Sequence, residues 1–151
     1  LEFARGINWI YLPAGMRLLC ILLFAEAGAL GLLIASWLVC FFYFFPDDPI
    51  RSFMGGIIAA AAPYLVYRCM LIGSGAHTSL ADMTPGRLLL YALAFSLASP
   101  LLHHIWFVIH GDPASPHGFL VMAAGDLAGT LIVLYLAKAA LALTAARRRQ
   151  G

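Results

Sequence analysis

Four apolar runs, each long enough to cross a bilayer, leave this chain few ways to fold. They cover about 18–45, 53–72, 88–109 and 119–146, and a transmembrane helix needs roughly 20 residues. Charged residues make up 11% of the chain and hydrophobic ones 63%, whereas soluble domains carry about 25% charge. A soluble globule of 151 residues would leave much of that apolar surface in water. The expected fold is all-α. It is a single integral membrane domain over 1–151, built as a polytopic transmembrane helix bundle of four spans.

The first run is too long for one upright span. As a single helix it would measure ~42 Å, against a hydrocarbon core of ~30 Å. Gly28 and Gly31 sit in its middle. It is either one tilted helix or two shorter ones broken near 27–31. The second case adds an N-terminal half-span or interfacial helix. Leu12-Pro13-Ala14-Gly15 reads as a helix start at Pro13. Trp9 and Tyr11 suit an anchor at the membrane interface. Pro63 and Pro100 lie inside the second and third runs and are expected to kink them. Thr84 is placed to cap a helix that has Pro85 at its first position.

Positive charge orients the bundle. Arg5, Arg17, Arg68, Arg87, Arg147, Arg148 and Arg149 fall on one side, with Lys138 able to snorkel toward it. Arg51, Asp47, Asp48 and Asp112 fall on the other. The arginine-rich side is expected to be cytoplasmic, with both termini there, in a bacterial inner membrane. No stretch combines a basic start, a short apolar core and a small-residue site in the way of a cleavable signal peptide. Cys20, Cys40 and Cys69 lie in or beside apolar runs and read as buried thiols, since a disulfide framework would sit in polar loops.

Two acids interrupt the apolar runs. Glu26 lies ~13 Å of helix rise beyond Arg17, and Asp126 the same ~13 Å beyond His117. Both are expected near the midplane, where an ionisable group costs at least ~2.5 kcal/mol and normally faces a partner or a polar cavity. Antiparallel neighbours would bring the two together. They would then form a site for a proton, a cation or a polar ligand, or hydrogen-bond to neighbouring groups as part of the packing. Gly125 and Gly129 flank Asp126 at GxxxG spacing, which permits close helix approach. Gly55-Gly56 with the alanines at 59–62 reads as a second contact surface. Arg17, just inside a helix start, could bind an anion or contact a lipid headgroup.

His103, His104, His110 and His117 cluster late and are expected near the outer surface as interfacial hydrogen-bonding groups. Imidazole also serves haem and other metals, but no facing span offers a histidine at similar depth. No metal or other cofactor is therefore expected. Nor is there a paired nucleophile and base, an HExxH, a phosphate-binding glycine loop or a basic patch for nucleic acid. The chain does not read as an enzyme.

Two segments carry a resemblance. WIYLPAGMRLLCILLFAEAGALGLLIASWLV over 9–39 has a Pro-Ala-Gly start, a long aliphatic run and central small residues, and GDLAGTLIVL over 125–134 is a Gly-Asp segment. Both resemble the bacterial membrane-associated sensory domain MASE1. The resemblance implies an integral membrane sensory domain in which Pro13, Gly15, Glu26 and Asp126 belong to a ligand-sensing core. Family members usually have more spans and a fused signalling output domain.

The expected function is that of a small inner-membrane protein, a ligand-sensing or solute-binding domain with a buried carboxylate site. Its candidate ligand-binding residues are Glu26, Asp126, Arg17, Gly125 and Gly129. The alternative is a non-catalytic accessory subunit of a larger respiratory or photosynthetic membrane complex. Partners are then the lipid bilayer and other transmembrane helices or protein subunits, without nucleic acid.

Overall fold

A computed structural model of the chain describes residues 2–4, 7–8, 10–74, 80 and 82–148. Trp9, expected as an interfacial anchor, and Arg5 and Arg149, expected as cytoplasmic charges, lie outside the described residues. Two short antiparallel strands, β1 (Glu2–Ala4) and β2 (Ile7–Asn8), come first. The rest is helical: α1 (Leu12–Val39) continued by a π-helical turn at Cys40–Phe44, α2 (Pro49–Ser74), α3 (Pro85–His110) and α4 (Pro116–Arg148). Among the described residues four helical stretches, Leu12–Phe44 (which folds back on itself at Ala25), Pro49–Gly73, Pro85–His110 and Pro116–Arg148, are long and apolar enough to cross a membrane.

The surface confirms the solvent. Phe24, Leu30, Phe42, Ile50, Ile72, Val108, Leu120 and Leu136 all point outward. Ser52, Ser96, Ser99, Asp126 and Thr130 are buried. Apolar outside and hydroxyl-bearing inside is the arrangement of a bundle whose surroundings are hydrocarbon. This is a multi-pass membrane protein.

Helix ends follow the turn chemistry. Thr84 Oγ1 accepts from the Arg87 amide at 3.3 Å, and Asp48 Oδ1 accepts from the Arg51 amide at 2.9 Å. Ser115 Oγ accepts from the Gly118 amide at 2.9 Å. Each satisfies an amide that a helix start would otherwise leave bare. Gly111 ends α3 at φ 82°, a left-handed position that suits glycine. Both α2 and α3 run on through Pro63 and Pro100.

Among the described residues the backbone breaks inside a helix at Ala25, with φ 47° and ψ −120°. A non-glycine residue there stores about 1–3 kcal/mol of strain. In an unbroken helix Cys20 and Gly28 would stand ~12 Å apart along the axis. Here a Cβ built on Gly28 would lie 2.5 Å from the Cys20 carbonyl oxygen. The arms 12–24 and 26–39 therefore fold against each other. The first run is two helices, and the break comes slightly before the glycines that suggested it.

The first arm begins inside the bundle. The Tyr11 amide donates to the Gly125 carbonyl of α4 at 3.0 Å. A side chain on Gly129 would strike the Tyr11 carbonyl, and one on Gly15 would meet Gly129 O at 2.6 Å and Thr130 Cα at 2.9 Å. Moving from Tyr11 to Gly15 thus moves from Gly125 toward Val133, so the arm runs parallel to α4. The Gly125–Gly129 spacing is a close-approach surface, and its occupant is the start of α1.

The second arm packs antiparallel to α2. Trp37 stacks on Phe53 at 5.2 Å and donates Nε1–H to the Phe53 carbonyl at 3.0 Å. Gly56 leaves room for the same indole, and Gly55 faces Cys40 Sγ. The π-turn closes with the Phe45 amide on the Cys40 carbonyl at 2.9 Å. Ser52 Oγ lies 2.9 Å from that carbonyl and 2.8 Å from the Phe45 carbonyl. α3 returns antiparallel to α4, with His104 against Phe119 near one end and Tyr135 O–H donating to the Pro85 carbonyl near the other. Of the thiols, Cys40 is buried, Cys20 is half-buried and Cys69 is exposed. Burial of all three was expected; Cys69 instead faces the bilayer, where a thiol behaves as a small hydrophobe.

Gly129→Ala should destabilise the purified protein by about 1–3 kcal/mol through overpacking against Tyr11. Gly31, with open space around it, is the control: Gly31→Ala should be neutral or stabilising by up to about 1 kcal/mol. Thermal melts in one detergent check both.

Candidate functional site

The broken first helix leaves a cavity of about 610 Å³ between its two arms, reaching α2, α3 and α4. Most of the wall is apolar or aromatic, from Leu32, Val39, Tyr43, Phe44, Phe107 and Met122. The polar groups are few: Tyr11, Arg17, Ser36, Arg51, His103 and Trp106. That balance, an apolar wall with a small set of fixed polar groups, is typical of a small-molecule site.

Arg17 enters because its arm starts deep in the bundle. Its Nη2–H donates to Tyr11 Oη at 3.2 Å, and the guanidinium sits 5.4 Å from the Tyr11 ring centroid. Among the described residues no carboxylate lies within 4.0 Å of it. Asp126 is buried in α4 and is not among the residues that line the cavity. The expectation that Arg17 marks the cytoplasmic surface is corrected. The reversal at Ala25 carries the chain outward only after Arg17, so arginine is inside and glutamate is at the turn.

Glu26 accordingly leaves the proposed pair. It sits just past the reversal with its side chain 65% exposed, and Arg68 Nη1 stands 3.4 Å from its Oε1. Asp126 is 2% exposed in α4, beside the Ser99 hydroxyl. The two acids are not brought together. The midplane estimate for Glu26 assumed an unbroken helix leading inward from a surface Arg17. Of the five site residues expected from sequence, the structure gathers Arg17, Asp126, Gly125 and Gly129 around the start of α1 and places Glu26 elsewhere.

Several buried polar atoms lack partners. Asp126 Oδ2, Thr130 Oγ1, Trp106 Nε1 and Arg51 Nε are all enclosed without a hydrogen bond. Native proteins leave few such groups, because each costs about 1–3 kcal/mol. Trp106 and Arg51 face the cavity. Arg51 also lies 4.5 Å over the Phe45 ring and 3.4 Å from Asp112 Oδ1.

His103 and His104 are tied to their own helix, Nδ1 of each donating to the Ser99 carbonyl at 2.8 Å and the Pro100 carbonyl at 3.0 Å. A carbonyl only accepts, so Nδ1 carries the proton in both and Nε2 of His103 is left for the cavity. His103 is thus a lining residue and not a surface one. His110 pairs with Asp112 at 3.4 Å. Among the described residues no group of three or more His, Cys, Asp or Glu could hold a metal ion.

Sequence reasoning missed Tyr11, Arg51, His103 and Trp106 as cavity residues. Their signal was present only in part: Arg51 is the lone cation on its side of the bundle, and Tyr11 directly precedes a helix start. The chain matches no protein-family model, no curated protein and no solved structure.

Arg17→Gln and Asp126→Asn should be coupled. Thermal melts of the single and double variants should show the double less destabilised than the sum, by about 0.5–3 kcal/mol. Glu26→Gln should cost under about 1 kcal/mol, as expected for an exposed ion pair.

Proposed function

We propose that this chain is a non-catalytic ligand-binding domain of the bacterial inner membrane, with a sensory role of the kind its MASE1-like segments imply. The observation that carries the reading is the guanidinium of Arg17 held inside a largely apolar cavity with no carboxylate of the described residues in contact. A cation in that setting is stabilised by an anion or acceptor delivered from outside. Asp126, buried in α4, does not itself line the cavity. Only one of the two carboxylates first considered belongs to this region.

The positive end of the bundle, with Arg68, Arg87, Lys138, Arg147 and Arg148, faces the cytoplasm by the positive-inside rule. The C-terminal end of α4 lies on that side, whereas Arg17, not being a surface charge, does not orient the N-terminal end of α1.

The accessory-subunit reading has its own support in the outward Phe42 and Ile72 side chains, which suit lateral packing against another subunit. Native mass spectrometry of the chain extracted in mild detergent separates the two. The expected spectrum carries a small bound mass that disappears in Arg17→Gln and persists in Glu26→Gln. Stoichiometric protein partners, with no small bound mass in any sample, would instead favour the accessory subunit.

A further inference from the structure

The cavity's shape and chemistry narrow its occupant, and the narrowing rests on the binding reading above. Three features matter. The first is a guanidinium with, among the described residues, a single protein hydrogen bond, from Arg17 Nη2 to Tyr11. The second is a long apolar wall from both arms of α1, including Leu32, Ala35 and Val39. The third is an aromatic end to the cavity at Trp106 and Phe107. His103 and Phe107, one helical turn apart with ring centroids at 6.3 Å, connect the Arg17 region to the Arg51 region.

A small hydrophilic anion would satisfy Arg17 and leave the apolar wall empty. A neutral hydrocarbon would fill the wall and leave the guanidinium bare. Neither matches both halves. We propose that the cavity binds an amphiphilic organic anion, with its carboxylate or phosphate head on Arg17 and its apolar body along the wall toward Trp106. Guanidinium pairs with such heads through two parallel hydrogen bonds, which also fixes the head's orientation. About 610 Å³ lies within the range of cavities that take ligands of this size. The same chemistry is offered by an anionic lipid of the bilayer and by a water-borne amphiphile.

The test uses the full chain in nanodiscs of zwitterionic phosphatidylcholine, titrated with decanoate, decanol and acetate. Decanoate should bind saturably. Decanol should bind about tenfold more weakly or worse, the loss expected when one charge-assisted hydrogen-bonded head is removed. Acetate should show no saturable binding. Arg17→Gln should bring decanoate down to the level of decanol and leave decanol unchanged. Ala35→Trp, which fills the wall, should weaken both. Nanodiscs containing phosphatidylglycerol should compete with decanoate if the natural occupant is a lipid, and should not if it is water-borne.

Equal binding of decanoate and decanol, or decanoate binding untouched by Arg17→Gln, would overturn the anion assignment while leaving a binding cavity. Loss of all binding to every probe, with Ala35→Trp and the parent chain alike, would overturn the cavity reading itself.

Discussion

Backbone pressed on glycine decides this structure. Gly129 has no Cβ, so the Tyr11–Leu12 peptide can lie directly on α4, and Gly15 lets the next turn follow. The Tyr11 amide then finds the Gly125 carbonyl, which satisfies a polar group that hydrocarbon could not. With that contact the first helix can start halfway through the bundle. Without it, residues 12–24 would have no polar partner for their first turn at that depth.

The other features follow from this docking. A helix that starts halfway and turns back at Ala25 leaves unfilled space between its arms. The cavity occupies that space, and Arg17 faces it because it lies one turn beyond the docked residues. The strain at Ala25 is offset by the close packing of Leu18, Ile21 and Ala14, all fully enclosed, since van der Waals packing rather than exclusion of water joins helices in lipid. The remainder of the bundle is conventional: small residues at helix contacts, hydroxyls bonded to backbone carbonyls, and a Trp37 indole held by Gly56 and Phe53.

The reading of the acids shows how far depth arguments reach. Counting rise from Arg17 placed Glu26 near the midplane, and the count was correct for a straight helix. The helix is not straight, and a single residue at positive φ exchanged the positions of arginine and glutamate. Asp126, in an unbroken helix, came out buried as its run implied. The same comparison explains Cys69. A thiol in an apolar run can face protein or lipid with little difference in cost, so nothing local decides which. His103 was read as interfacial from its neighbours His104 and His110, yet the Ser99 carbonyl and the packing of α3 turn it inward.

By itself the sequence determined the solvent, the helical class, the four apolar segments, the cap at Thr84, and the close-approach role of Gly125 and Gly129. These depend on composition and on neighbours a few residues away, which any fold of this chain must respect. Tertiary structure alone decided where the first run breaks, which side of the lipid boundary Glu26 and Arg17 occupy, and that Tyr11, Arg51, His103 and Trp106 share one cavity. Those outcomes depend on contacts between segments a hundred residues apart, such as Tyr11 on Gly125. Local propensity carries no information about which distant backbone will be there.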